Sequence, residues 1–176
     1  MIKFFIEPGY DVKKPEREAG NSGIDFFIPN YSETFIKAFN EKNVAENAYL
    51  FINEKGENFI RINPHRRVNI PSGIRSRIEP NVALEAHNKS GVATKLGLIF
   101  GASTVDPSYQ GIIHISLINT NDSPVEIPLG MKAVQFVPRI VDITPIEVCT
   151  DTTFDDFYSD FEFSNRGEGA FGSTGV

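Results

Sequence analysis

Asp106 opens the turn in STVDPSYQGIIHISLIN, with Tyr109 three residues on and Gly111 leading into an apolar strand. A carboxylate at a strand end is a general-base candidate when a water and an electrophile lie within about 3 Å. The plainer alternative is an aspartate that caps its own turn. In HNKSGVATKLG, Lys89, Ser90 and Gly91 set a cation, a hydroxyl and an unhindered backbone side by side after a strand. That grouping suits phosphate oxygens as a small anion nest, or serves as an ordinary polar turn. No P-loop pattern GxxxxGK[ST] is present.

The C-terminal RGEGAFGSTGV formally satisfies GxGxxG through Gly167, Gly169 and Gly172, but only Ser173, Thr174, Gly175 and Val176 follow it. A dinucleotide fingerprint needs a helix there, so that reading is excluded. What remains is a glycine chain carrying Arg166, Phe171, Ser173 and Thr174. Its freed N–H groups can wrap phosphate oxygens, the guanidinium can fork onto two of them, and the ring can stack on a base. A glycine-rich tail without such a role is the alternative. Gln135 interrupts the apolar strand of LGMKAVQFVP and needs hydrogen-bond partners, either solvent or a ligand. Asp25 in AGNSGIDFF stands at a strand start, as a turn cap or as the holder of a metal-bound water.

These groups need a scaffold, and the periodicity predicts strands. Short β-branched or aromatic runs recur at Ile2 to Ile6, Ile24 to Ile28, Tyr49 to Asn53, Asn58 to Ile62, Val82 to Ala86, Ile112 to Ile118, Val125 to Ile127 and Ala133 to Pro138. Glu54 to Glu57 (EKGE) reads as a hairpin turn between two of them. The 11 prolines exclude long helices over most of the chain. An all-β barrel or sandwich is expected. From Ser32 to Asn47 the spacing of Phe35, Ile36, Phe39 and Val44 predicts a short amphipathic helix capped by Ser32, packed on the barrel or offered to a partner. From Asp151 to Glu168 six acidic residues face only Arg166, with five aromatics among them, which predicts an extended arm.

The 176 residues suit one main domain. The expected division is a β domain over 1–150, with an excursion at about 31–63, followed by an acidic arm over 151–176. A formal charge of -6 argues against a nucleic-acid coat. The single Cys149 closes no internal disulfide, and no Cys/His spacing suits zinc, which fits a reducing, cytoplasmic setting. No apolar run approaches the roughly 18 residues of a membrane span, so no membrane partner is expected.

Taken in chain order, GNSGIDFF, NKSGVA, TVDPSYQG, GMKAVQF and RGEGAFGSTG resemble the five motifs of the trimeric dUTPase family. The resemblance implies a jelly-roll-like β protomer, a homotrimer with active sites at subunit interfaces, and a C-terminal arm that closes over a site. It implies Mg²⁺-assisted hydrolysis of dUTP to dUMP and pyrophosphate, which keeps uracil out of DNA and supplies dUMP. By residue, Asp106 would activate the attacking water, Tyr109 would lie under the deoxyribose, and the backbone around Thr104, Val105 and His114 would bond uracil. Lys89, Ser90, Gly91, Gln135, Arg166, Ser173 and Thr174 would hold phosphates, Phe171 would stack on the base, and Gly111 and Gly172 would complete the binding set. Asp25 would reach the metal through water. Lys89 stands where the family usually has Arg, Ser103 and Ala170 where it has Gly, and Ile112 where Glu is frequent. The related dCTP deaminases carry a catalytic glutamate at the position matching Ser116, so deamination is the less favoured reading. A nucleotide-responsive protein-binding module, using the excursion to meet a partner, is the alternative from another class.

Overall fold

The computed structural model describes residues 1–43 and 47–160. Among these residues the apolar runs form twelve strands: β1 (Lys3–Ile6), β2 (Ile24–Phe27), β3 (Ala48–Ile52), β4 (Asn58–Ile62), β5 (Arg67–Pro71), β6 (Ile74–Arg77), β7 (Val82–Asn88), β8 (Leu98–Phe100), β9 (Thr104–Val105), β10 (His114–Asn119), β11 (Val125–Pro128) and β12 (Lys132–Ile140). Three helices join them: α1 (Glu33–Lys42), α2 (Ser90–Leu96) and α3 (Phe154–Phe157). The strands pair antiparallel in four sheets, ordered β1-β6, β5-β10-β8, β11-β4-β3 and β2-β12-β7-β9. This is the all-β, jelly-roll-like class. All twelve strands lie in a compact unit, Met1–Asp142, and a second unit, Ile143–Val176, carries α3 in its described part.

Alternation builds the core. On β5, Val68 and Ile70 point inward while Arg67 and Asn69 point out, and on β10 Ile115 and Leu117 are buried. Phe26 lies edge-on to Phe136 at 4.7 Å between ring centroids, joining β2 to β12. Buried Asn119 is satisfied by donating to the carbonyls of Ile62, Asn63 and Ser123. The EKGE turn forms as expected, with Gly56 at φ 79° and the Asn53 side chain accepting from the N–H groups of Lys55 and Glu57.

Helix α1 starts where predicted, because the Ser32 hydroxyl accepts the Phe35 N–H at 3.2 Å. It stops at Lys42, short of Asn47, because Asn43 leaves the helix to exchange two 2.8 Å hydrogen bonds with the Asn69 backbone. Val44 lies outside the described residues. Phe35 and Phe39 are buried in the core, so they pack the apolar face of α1 within the protomer. The rest of the excursion is woven in likewise, since β4 pairs with both β3 and β11.

Two expectations need correction. Lys89 to Gly91, read as an anion nest or an ordinary polar turn, opens a seven-residue helix, ended by Gly97 in the left-handed conformation at φ 61°. The described part of the acidic arm is not extended throughout. Thr153 caps α3 by accepting the Asp156 N–H, Asp155 and Asp156 complement the positive end of the helix, and Tyr158 packs on Phe154 and Phe157. No helix among the described residues is long and apolar enough to cross a membrane.

Candidate active site

Strand β9 is only two residues long, yet it fixes the entry to the Asp106 turn. Val105 pairs with Leu84 and Thr104 with Glu85 of β7, and the Ala86 N–H donates to the Ser103 carbonyl at 2.6 Å. Asp106 follows at once, exposed at the turn. The turn closes on itself: the Tyr109 N–H donates to the Asp106 carbonyl at 3.1 Å, and the Tyr109 hydroxyl donates to the Ile112 carbonyl at 2.9 Å. Gly111 is required here because a Cβ would run into the Tyr109 ring. Beyond it, Ile113 exchanges backbone bonds with Ile74 and Ser72, and β10 begins at His114 opposite Pro71.

Thr104, Val105, Asp106, Tyr109 and His114 thus line one pocket of about 180 Å³, with Ala102, Ser103 and Ile113. Ser103, Thr104, Asp106, Tyr109 and His114 are the polar residues of its lining. Burial lowers the His114 pKa, more than a hydrogen bond to the Ile112 backbone raises it, with the Lys42 charge adding to the lowering. The imidazole is therefore neutral at pH 7. Next to this region, Ser116 is buried, and its hydroxyl lies where a side chain on Gly101 would need to be, while the Gly101 N–H donates to the Ser116 carbonyl at 3.1 Å.

The second group of predicted residues gathers on the outward face of the sheet. Asp25, Gln135 and His87 lie in one row across β2, β12 and β7. Lys89, just after β7 and at the N-cap of α2, donates to the Asp25 carboxylate at 2.5 Å, and Lys132 reaches its other oxygen at 3.0 Å. Lys132 also pairs with Glu16 at 2.6 Å. Burial pushes the Asp25 pKa up, but the two lysines more than offset it and hold the carboxyl below its ordinary value. Ser90 and Gly91 form the first turn of α2, where N–H groups have no acceptor within the helix. The Gln135 side chain lies against Gly23, which has no room for a Cβ, and its amide is 3.5 Å from the Asn88 carbonyl oxygen.

Strand β7 ties the two regions together, since its middle pairs with β9 and its end delivers Lys89. Arg166, Phe171, Gly172, Ser173 and Thr174 lie outside the described residues. Sequence reasoning passed over Lys132, whose signal was its place three residues before Gln135 in the same motif. It also passed over Arg75, which is remote in sequence and carries no local signal.

No family model matches the chain. A curated deoxyuridine 5'-triphosphate nucleotidohydrolase of Rhizobium rhizogenes is 36% identical over 115 residues, covering 64% of this chain and 68% of that protein. The chain belongs to the dUTPase family. Among solved structures, the Staphylococcus bacteriophage 80alpha dUTPase with dUPNHPP superposes with a TM-score of 0.70 at 17% identity, covering 100% of this chain and 99% of that one. A dUTPase from phage phi11 of S. aureus, described with a structural Mg(II) ion, gives a TM-score of 0.62 at 15% identity over 88% and 99% of the two chains. Both share the dUTPase fold.

The described residues contain no group of three or more His, Cys, Asp or Glu able to hold a metal. Mg²⁺ keeps several waters and needs only one or two carboxylates beside the phosphates of its ligand. Asp25, held ionised by Lys89 and Lys132, is one carboxylate beside these residues.

Proposed function

We propose that the chain hydrolyses dUTP to dUMP and pyrophosphate, with the Asp106 carboxylate as general base. The observation that carries this reading is the single pocket that gathers Thr104, Val105, Asp106, Tyr109 and His114 in a chain of this family. Uracil enters the pocket and meets backbone donors and acceptors from Thr104, Val105 and His114. A cytosine would leave the groups it covers unpaired, which is the source of base selection. Tyr109 lies under the sugar, pinned by its bond to Ile112, and a 2′-hydroxyl finds no space above it. Asp106 accepts a proton from water as its oxygen attacks the α-phosphorus. The bond from that phosphorus to the bridging oxygen breaks, and pyrophosphate leaves.

Lys89, Ser90, Gly91 and Gln135 serve the phosphates, joined by Arg166, Gly172, Ser173 and Thr174 from the C-terminal motif, while Phe171 covers the base. Asp25 would hold Mg²⁺ through water, and the ion would supply charge neutralisation at the phosphate oxygens. Lys89 gives one point charge where a guanidinium would give a two-pronged contact, so it depends on its Asp25 partner for aim. The homotrimer is the proposed assembly, and sedimentation of the full chain tests it directly. For the activity, the test is pyrophosphate release with Mg²⁺ from dUTP, UTP, dCTP and dTTP, with ammonia followed from dCTP. Release confined to dUTP is expected. Ammonia from dCTP at a comparable rate, or no pyrophosphate from dUTP, would overturn the reading.

A further inference from the structure

Arg75 lies on β6 opposite Phe5 of β1, far in sequence from every motif residue. Its guanidinium forks: Nε donates to Glu7 Oε2 at 2.7 Å, and Nη1 donates to the Gln110 carbonyl oxygen at 2.7 Å. Glu7 is itself anchored, since its N–H donates to the Gly73 carbonyl at 2.8 Å. One prong of a planar, fixed fork therefore grips Glu7, the residue after β1, and the other grips the turn between Tyr109 and Gly111.

The turn has two ends with different supports. At its start, β9 pairs with β7 and holds Asp106 through the sheet. Between Tyr109 and Gly111 there is no ladder, and the Gln110 carbonyl is instead held by Arg75. We propose that Arg75, backed by Glu7, is a positioning residue for sugar selection, setting where the Tyr109 ring lies by clamping the Gln110 end of the turn. This rests on Tyr109 as the support of the deoxyribose. The Glu7 hydrogen bond raises the Arg75 pKa, and the Arg75 bond lowers that of Glu7, so both partners stay charged throughout the neutral range.

A plain ion pair joining β1 to β6 would affect stability alone, whereas a clamp affects discrimination. The experiment compares wild type, Arg75→Met, Arg75→Lys and Glu7→Gln in the full chain. Steady-state kinetics on dUTP and UTP are combined with hydrogen exchange of the Tyr109 to Ile112 amides in the free protein. Arg75→Met should raise KM for dUTP about tenfold with kcat within about threefold, because Asp106 keeps its own anchor. The dUTP over UTP ratio of kcat/KM should fall about tenfold, and the turn amides should exchange faster. Arg75→Lys should recover part of each effect, and Glu7→Gln should give smaller shifts of the same sign. An unchanged dUTP over UTP ratio with unchanged exchange in Arg75→Met overturns the proposal, whatever its melting temperature. Should that variant not fold, Glu7→Gln decides by the same two readouts. If wild type releases no pyrophosphate from dUTP, the functional reading fails, and amide exchange alone decides whether the clamp exists.

Discussion

Around Asp106 the polar groups are fixed by backbone hydrogen bonds and strand register, whereas around Asp25 they are fixed by opposite charges on side chains. In the first region Thr104 and Val105 are held by β7, and Tyr109 is tied to two carbonyls by way of its own N–H and hydroxyl. In the second, two lysines share one carboxylate, and one of them shares a second acid. A backbone frame pays no rearrangement penalty when a base docks, which suits discrimination between rings that differ in one donor or acceptor. An ion cluster must exchange partners when phosphates arrive, and it responds to salt and to neighbouring charge. Base choice and phosphate binding should therefore fail separately.

The hardest break is Asp106→Asn, expected to cut turnover by about 10²–10⁴-fold while leaving the affinity for a non-hydrolysable dUTP analogue within a few-fold, as read by single-turnover kinetics and titration. Retained turnover would remove Asp106 from the chemistry. Asp25→Asn should come next, lowering kcat/KM for dUTP by about 10–100-fold, because Lys89 loses the carboxylate that aims it while Lys132 keeps only Glu16. The same variant reports on stability. The folded pKa of Asp25 is depressed, so its contribution is present above the unfolded value near 4 and is lost as pH falls through the lower folded value. Urea melts of wild type and Asp25→Asn should thus differ at neutral pH and converge in acid.

Raising salt from about 0.05 to 0.5 M should increase KM for dUTP several-fold, yet leave the ratio of dUTP to dCTP turnover unchanged, since the Debye length shrinks while the backbone frame does not. A ratio that drifted with salt would merge the two regions into one. The smallest effect belongs to Lys89→Arg, which should lower KM about two- to fivefold by restoring a bidentate contact, provided Asp25 accommodates the larger head group. For His114 the sign is opposite to habit for a histidine. Burial depresses its folded pKa, so its contribution to stability is present above about 6.5 and fades as pH falls through the lower folded value. His114→Gln should flatten that part of the stability profile.

The strands were legible wherever apolar residues alternate without interruption, as at Val82 and Ala133. Strands β5 and β6 were not, because Arg67, Asn69, Arg75 and Arg77 break the run, and only pairing with β10 and β1 reveals them as edges with one dry face. The helix after Lys89 was hidden by Ser90 and Gly91, poor helix formers that suit a first turn. The members of the pocket were visible as a motif. Its supports were not, since Arg75, Ile74 and Ser72 reach it through contacts 35, 39 and 41 residues apart in sequence. Lys132 was hidden in the same way, because its two acids, Glu16 and Asp25, lie more than a hundred residues upstream.

The contact between Ser116 and Gly101 bears on which reactions this lineage can reach. On β10, position 116 alternates to the same side as His114, and it matches the position at which the related dCTP deaminases carry their catalytic glutamate. Ser116 is 7% exposed, and its hydroxyl fills the space that any side chain on residue 101 would claim. A longer acid at 116 would have to displace the β8 end or lie buried without a partner, at a cost of several kcal/mol. Ser116→Glu alone should therefore destabilise the fold unless the end of β8 at Gly101 shifts with it.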